Sequence, residues 1–180
     1  MIIVGLGNPG SQFENTRHNT GFMAIDFFAQ KNGFPEFTDS KKHQAFVSEK
    51  DGVTLVKPQT FMNESGKSVR SIIKNTNNDL VIIHDDIDVA LGSIKIVKNR
   101  GSAGHKGVDS IIQAIGNEEL VRIRVGICPV DGKPTNSEKF VIEKFKPEEM
   151  EIMNQTVEKV SHILGSLQQR GLEQTMNTYN

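Results

Sequence analysis

Apolar residues in this chain follow two patterns, which predict two kinds of secondary structure. Short runs rich in β-branched residues predict strands at 1–5, 44–49, 53–57, 80–84, 93–97 and 121–127. Longer segments with apolar residues three or four positions apart predict helices at 21–31, 64–74, 108–115 and 147–169. Because strands and helices alternate along the chain, we expect an α/β fold.

The predicted elements favour one domain over residues 1–180, with a twisted, mixed and mostly parallel central sheet flanked by helices. The runs on either side of Asp51 and Gly52 predict an antiparallel hairpin on that sheet. Pro147 suits the first turn of a long C-terminal helix. The polar residues 172–180 that follow this helix are expected to form a loose tail.

Length and composition narrow the class of protein. The chain has 180 residues, of which 36% are hydrophobic and 24% charged, as in an ordinary soluble globular domain. The single cysteine, Cys128, cannot form a disulfide within the chain, and no segment has the pattern of a signal peptide or a membrane span. We therefore expect a cytoplasmic protein. A net charge of −1 gives no overall nucleic-acid signature, so a basic surface would have to be local.

The segment "IIVGLGNPG" at 2–10 matches the G-x-G-x-x-G pattern of dinucleotide-binding loops. A true loop of this kind leads directly into a helix whose N–H groups bind the pyrophosphate. Here Pro9 lacks an N–H, and residues 11–21 show no helical spacing. No acidic residue ends a second strand about 20 positions later, as the fingerprint requires. The context therefore disfavours a dinucleotide site.

The same segment predicts a strand that delivers Asn8 to the edge of the sheet where ligands bind in open α/β folds. A polar loop carrying His18 follows. Locally, Asn8 could simply belong to a turn, and His18 could simply tie the loop to its surroundings. The sequence around Asn8 and His18 is compatible with a role in ligand binding and with a purely structural role.

Three carboxylates, Asp85, Asp86 and Asp88, follow the predicted strand 80–84. One of them could orient a histidine and raise its basicity, or a pair could form half of a Mg²⁺ site. Some could also be solvated or cap the next turn. Because the chain offers no matching second cluster of ligands, a metal site is disfavoured.

Two further segments suit ligand binding. Phe61, Met62 and Asn63 precede the predicted helix 64–74, where they could form a binding wall, although Asn63 also suits a helix N-cap. Residues 89–108 contain no acid but several lysines, an arginine and many glycines, which suits phosphates. That segment could instead be an ordinary loop or a mobile lid.

Six motifs in this order, "VGLGNPG", "TRHNTGF", "TFMNESGKSV", "HDDIDVALG", "GSAGHKG" and "RIRVGI", make the chain resemble the bacterial peptidyl-tRNA hydrolase family. The resemblance implies a monomeric α/β enzyme that needs no cofactor and hydrolyses the ester between peptide and tRNA. Its partner would be peptidyl-tRNA, with no membrane association.

The resemblance also implies roles for individual residues. His18 corresponds to the catalytic histidine, Asp85 to the carboxylate that keeps it basic, and Asn8 to the asparagine that helps to distinguish a blocked peptidyl group from a free aminoacyl group. Asn63 corresponds to a substrate-binding asparagine, beside Phe61 and Met62. The implied tRNA surface contains Lys95, Lys98, Arg100 and Arg124.

Two positions depart from the family pattern. Phe13 stands where a tyrosine is usual, so a hydroxyl contact is lost while ring packing can survive. Lys106 replaces an asparagine in "GSAGHKG" and could bind a phosphate or stabilise an oxyanion. These departures leave open a catalytically altered RNA-binding relative. The chain has no G-x-S-x-G nucleophile elbow, which favours attack by water activated by His18.

Overall fold

The computed structural model describes residues 1–73, 80–116 and 119–180. Within these residues the strands are β1 (Ile2–Gly5), β2 (Thr38–Ser40), β3 (Ala45–Lys50), β4 (Val53–Pro58), β5 (Leu80–Ala90), β6 (Ile94–Lys98) and β7 (Val121–Cys128). The α-helices are α1 (Thr20–Lys31), α2 (Ser65–Ile72), α3 (Lys106–Ile115), α4 (Ser137–Ile142) and α5 (Pro147–Tyr179). Short 3₁₀ turns occupy Ser11–Phe13, Arg17–Asn19 and Met62–Glu64.

The strands form one seven-stranded sheet in the order β2-β3-β4-β1-β5-β7-β6. Its centre is parallel, since β1 pairs with both β4 and β5, and β5 pairs with β7 in the same sense. The outer strands β2, β3 and β6 run antiparallel to their neighbours. The predicted mixed, mostly parallel sheet is confirmed, as is the hairpin, which is β3–β4.

Apolar cores cover both faces of the sheet. On one face, β1, β5 and β7 contribute residues such as Ile3, Ile83 and Ile123, which pack against α1 and α5. On the other face, Val4 and Ile82 pack with apolar residues of α2 and α3. No helix in the described ranges is both long and apolar enough to cross a membrane.

The glycines of the opening motif serve packing between β1 and α1. A Cβ on Gly5 would lie 2.2 Å from the carbonyl oxygen of Gly21, and one on Gly7 would lie 2.7 Å from the Phe22 ring. After Gly10 the chain makes short 3₁₀ turns, and α1 begins only at Thr20. The local structure is therefore not that of a dinucleotide-binding loop, in agreement with the sequence.

The predicted loose tail at 172–180 is wrong. Gly171 adopts φ 76° and ψ 177° within α5, which breaks the helical path. The hydroxyls of Ser166 and Thr175 then lie 2.9 Å apart, although nine residues of straight helix would separate them by about 13 Å. The side chain of Asn180 pairs with both the N–H and the carbonyl of Ile96 on the edge strand β6. The polar composition of 172–180 did not indicate that the chain packs back against α5 and β6. That packing depends on the backbone of Gly171 and on contacts with residues distant in sequence.

The other differences between the predicted and the observed secondary structure are smaller. The elements β2 and α4 were not predicted, because β2 is short and polar and the apolar residues of α4, 140–142, are too few to show a helical spacing. The strand predicted at 80–84 continues to Ala90, so Asp85, Asp86 and Asp88 lie within β5 rather than in a loop after it. The helix predicted at 64–74 ends at Ile72, and position 74 lies outside the described residues.

Candidate active site

His18 lies in the 3₁₀ turn Arg17–Asn19, immediately before α1, and neighbouring contacts hold this turn in place. The buried Arg17 side chain binds the Glu149 carboxylate at 2.7 Å and also donates to the carbonyls of Glu143 and Lys144. These contacts tie the turn to the start of α5. The contacts of Arg17 therefore help to fix the position of His18.

Asp85 meets His18 where the central strands end. β1 ends at Gly5, beside Ile83, while β5 continues and carries Asp85 past that end. His18 Nδ1 lies 2.9 Å from Oδ1 and 3.1 Å from Oδ2 of Asp85, and both side chains are buried. Because a carboxylate can only accept, Nδ1–H is the donor, and the lone pair of His18 lies on Nε2.

His105 also contacts Asp85, and the sequence analysis did not single it out. Its Nε2 lies 3.0 Å from Asp85 Oδ1. Its Nδ1 caps α3, accepting from the N–H groups of Gly107 and Val108 at 3.2 Å and 3.3 Å. The capping bonds place the proton of His105 on Nε2, so Asp85 accepts from two histidines. A histidine just before a predicted helix was the available signal.

The electrostatics of the pair favour a charged Asp85 and a basic His18. Burial alone would raise the pKa of Asp85, but the charges and hydrogen bonds of His18 and His105 hold that pKa far below its ordinary value. Burial alone would lower the pKa of His18, whereas the charge and hydrogen bond of Asp85 raise it above its ordinary value. The nearby Lys106 opposes this rise.

Asn8 lies beside the histidines with its side chain held in one orientation. Its Oδ1 accepts from the N–H of Met62 at 2.9 Å. Its backbone N–H and carbonyl both bond to the side chain of Asn19, at 2.8 Å and 3.0 Å. Because the N–H of Met62 can only donate, the amide group of Asn8 must present Nδ2 as the donor available to a ligand.

A cleft with a volume of about 700 Å³ opens above these residues. Asn8, His18 and Asp85 line it, together with Phe13 and with the predicted wall of Phe61, Met62 and Asn63. Phe13 and Phe61 meet edge to face with ring centroids 6.5 Å apart, and Phe61 is 56% exposed. Asn63 is not a helix cap as the alternative held, since Glu64 occupies the N-cap position of α2.

Known proteins resemble this chain in both sequence and fold. A sequence model described as "Peptidyl-tRNA hydrolase" matches residues 2–180. The chain belongs to the peptidyl-tRNA hydrolase family. The peptidyl-tRNA hydrolase of Shouchella clausii is 39% identical, with 99% of each chain covered. That of Thermodesulfovibrio yellowstonii is 38% identical, over 100% of this chain and 98% of the relative. The crystal structure of the Acinetobacter baumannii enzyme superposes with a TM-score of 0.89 at 32% identity, covering 99% of this chain and 93% of that one.

Phe13 and Lys106, the two positions at which the sequence predicted a departure from the family pattern, both line this cleft. Lys106 is the first residue of α3, and its Nζ lies 2.7 Å from Oε1 of Glu138 on α4. Both side chains are exposed and line the cleft, so breaking this ion pair costs little free energy. Lys106 therefore remains available to a ligand.

The four cations of the predicted tRNA surface, Lys95, Lys98, Arg100 and Arg124, lie outside the cleft. Lys95 pairs in register with Arg124, which places both on one face of the sheet, whereas Lys98 is three positions from Lys95 and lies on the other. Arg124 binds the Asp86 carboxylate at 2.5 Å. Lys95, Lys98 and Arg100 are exposed and form no ion pair within the described residues. The structure thus does not bring the four cations into one cluster.

The acids of β5 have separate partners. Asp85 accepts hydrogen bonds from His18 and His105, Asp86 binds Arg124, and the exposed Asp88 binds Lys133 at 2.6 Å.

His18, Asp85 and His105 are also the described residues that could hold a metal, with one ligand atom from each within 4.8 Å of the others. Hydrogen bonds from His18 and His105 to Asp85 already account for the closeness of these three side chains, so their arrangement does not require a metal ion.

Proposed function

We propose that this chain hydrolyses the ester bond between the peptide and the terminal ribose of peptidyl-tRNA, using a water molecule activated by His18. The observation that carries the proposal is the buried Asp85–His18 pair on the wall of the cleft, with Nε2 of His18 as the free basic atom. Family membership supports the substrate class.

The reaction follows from the groups around His18. Nε2 accepts a proton from water as the oxygen attacks the ester carbonyl, and Asp85 stabilises the imidazolium that forms. The tetrahedral oxyanion needs donors, which Nδ2 of Asn8 and the ammonium of Lys106 can supply. When the carbon–oxygen bond breaks, the imidazolium returns its proton to the ribose oxygen. The products are a free peptide carboxylate and tRNA.

The cleft has two chemically different sides that suit the two parts of this substrate. Phe13, Phe61 and Met62 offer an apolar surface to the peptide. Lys106 and Lys133 offer charge to phosphates near the tRNA end, and Lys95 and Arg100 extend the positive charge beyond the cleft. We further propose that the protein acts as a monomer in the cytoplasm.

The proposed activity is tested by release of peptide from purified N-acetyl-aminoacyl-tRNA and from the same tRNA without the acetyl group. We expect rapid hydrolysis of the blocked substrate and slow hydrolysis of the free one. Tight tRNA binding without hydrolysis would instead favour the RNA-binding relative that the departures at Phe13 and Lys106 left open.

Replacing Asn8 tests how the blocked group is recognised. We expect Asn8→Asp to lower kcat/KM for the blocked substrate by about tenfold to a hundredfold, because a carboxylate still accepts from Met62 but lacks the Nδ2 donor. Hydrolysis of the free aminoacyl-tRNA should change less. The ratio of the two kcat/KM values is the measurement.

Asn8→Ala is the matched control. It removes the Nδ2 donor and also leaves the N–H of Met62 unpaired, so we expect the same loss of discrimination with a further fall of about 1–3 kcal/mol in the free energy of unfolding. If both variants discriminate as the parent does, Asn8 takes no part in recognition.

Replacing Lys106 with asparagine restores the residue that is usual in the family. If Lys106 binds a phosphate, we expect Lys106→Asn to reduce the salt dependence of KM by about one phosphate contact while kcat changes by less than about threefold. Glu138→Gln is the comparison, because it frees Lys106 from its ion pair and should lower KM at low salt. A large fall in kcat for Lys106→Asn, at an unchanged salt dependence, would assign Lys106 to the oxyanion.

A further inference from the structure

Arg122 is a fully buried cation on β7, with a relative exposure of 1%. Its guanidinium donates to the carbonyls of Arg100 and Gly101 at 3.2 Å and 2.7 Å, and to Nε2 of His84 at 3.2 Å. Within the described residues it forms no ion pair with a carboxylate, and its Nε has no hydrogen-bond partner.

Burying Arg122 in this way lowers the free energy of unfolding. A buried charge without a paired carboxylate loses its hydration, and an apolar side chain of similar size at this position would avoid that loss. Arg124, two positions along the same strand, has its carboxylate partner in Asp86. Arg122 therefore calls for an explanation other than ion pairing.

His84 links Arg122 to the active site, because it contacts both Arg122 and Asp85. It is fully buried on β5, directly before Asp85, and its Nδ1 lies 2.7 Å from the Asp85 carbonyl oxygen. Because the carbonyl can only accept, Nδ1 holds the proton, and Nε2 accepts from Arg122. Burial and the neighbouring His105 lower the pKa of His84 well below its ordinary value, in keeping with this neutral form.

The His84 ring meets the ring of His105 edge to face, with centroids 4.6 Å apart, and His105 in turn lies 5.0 Å from the His18 ring. Arg122 also reaches His105 by a second path. It binds the carbonyl of Gly101, at the beginning of the segment 101–107 that contains His105. Both paths end at the histidine that shares the Asp85 carboxylate with His18.

We propose that Arg122 and His84 are positioning residues, which hold His105 and the Asp85 carboxylate in the one geometry that keeps His18 basic. This inference rests on the proposed function for its kinetic consequence. The positions and hydrogen bonds of the rings carry its structural part.

The decisive variant is His84→Asn. Its amide can still donate to the Asp85 carbonyl from near the place of Nδ1, but it lacks both the acceptor for Arg122 and the ring against His105. We expect kcat for N-acetyl-aminoacyl-tRNA to fall about tenfold, as is usual for a supporting residue, with KM and the affinity for free tRNA within twofold of the parent. His84→Gln, which can place an oxygen near the position of Nε2, should recover part of kcat.

The ring nitrogens of His105 give a readout that does not depend on activity. In ¹⁵N spectra the parent protein should show His105 protonated on Nε2, and His84→Asn should show a mixture of tautomers. Arg122→Met should give the same mixture and a similar fall in kcat, which serves as the test if His84→Asn fails to fold. A folded variant with kcat within twofold of the parent and an unchanged His105 tautomer would overturn the proposal. If the parent shows no hydrolysis, the proposed function fails, and the spectra alone still decide the positioning.

Discussion

Replacing His18 with alanine is expected to lower kcat for N-acetyl-aminoacyl-tRNA by about three orders of magnitude, within the range found for loss of a general base. The physical reason is that Nε2 of His18 is the basic atom on the cleft wall, held by the Asp85 carboxylate at its other nitrogen. We expect KM and the affinity for free tRNA to stay within about threefold, because the exposed cations are untouched. Single-turnover hydrolysis at saturating enzyme is the measurement.

His18→Asn is the matched control for this prediction. Its amide can donate to Asp85 much as Nδ1–H does, so the buried carboxylate keeps its partner while the base is lost. Both variants should therefore be almost equally inactive, and His18→Asn should be the more stable in thermal unfolding. If His18→Ala retained more than about a tenth of the parent kcat, water activation by His18 would be contradicted.

The fold was predictable wherever one local pattern dominates. The β-branched runs that became β1 and β7 and the helical spacing that became α5 each bury an apolar face, and burial determines secondary structure. β2 has no apolar residue and α4 has a single short apolar run, so neither shows a period that would indicate its secondary structure. The return of residues 172–180 depends on the backbone of Gly171 and on contacts with β6, which a local pattern does not report.

The candidate site was predictable in a different way. Short motifs singled out Asn8, His18 and Asp85, and the structure brings these three to one cleft. Their supporting residues were not found, for a physical reason. Histidine is intermediate in burial and arginine is mostly exposed in folded proteins, so neither "VIIH" nor "RIRVGI" shows that His84 and Arg122 are buried.

The separation of the predicted tRNA-binding cations onto different faces of the sheet also depends on contacts that the sequence does not report. Lys95 and Lys98 are close along the chain, but the alternation of side chains in β6 places Lys98 on the opposite face of the sheet from Lys95 and Arg124. The partner of Arg124 also comes from another strand, since Asp86 lies on β5. Charge counted along the chain therefore overstates the charge available at one face.

Replacing Asp85 with asparagine is the second change with a large expected effect, and its pH dependence is specific. The change removes the negative charge and replaces one of the two acceptor oxygens that face His18 Nδ1 with an NH₂ donor, because both carboxylate oxygens lie within 3.1 Å of that nitrogen. A donor facing Nδ1 favours the tautomer with the proton on Nε2, which cannot act as the base. We expect kcat to fall by about two to four orders of magnitude.

The acid limb of the pH profile should move as well. The base must be neutral, so kcat/KM falls as the pH drops through the pKa of His18, which Asp85 raises above its ordinary value. In Asp85→Asn the carboxylate no longer offsets burial, the pKa of His18 falls, and the acid limb shifts to lower pH. Profiles of kcat/KM between about pH 5 and pH 9 measure this. Asp88→Asn removes a carboxylate from the same strand outside the histidine network and should leave the limb in place. An unshifted limb in Asp85→Asn would show that Asp85 does not set the basicity of His18.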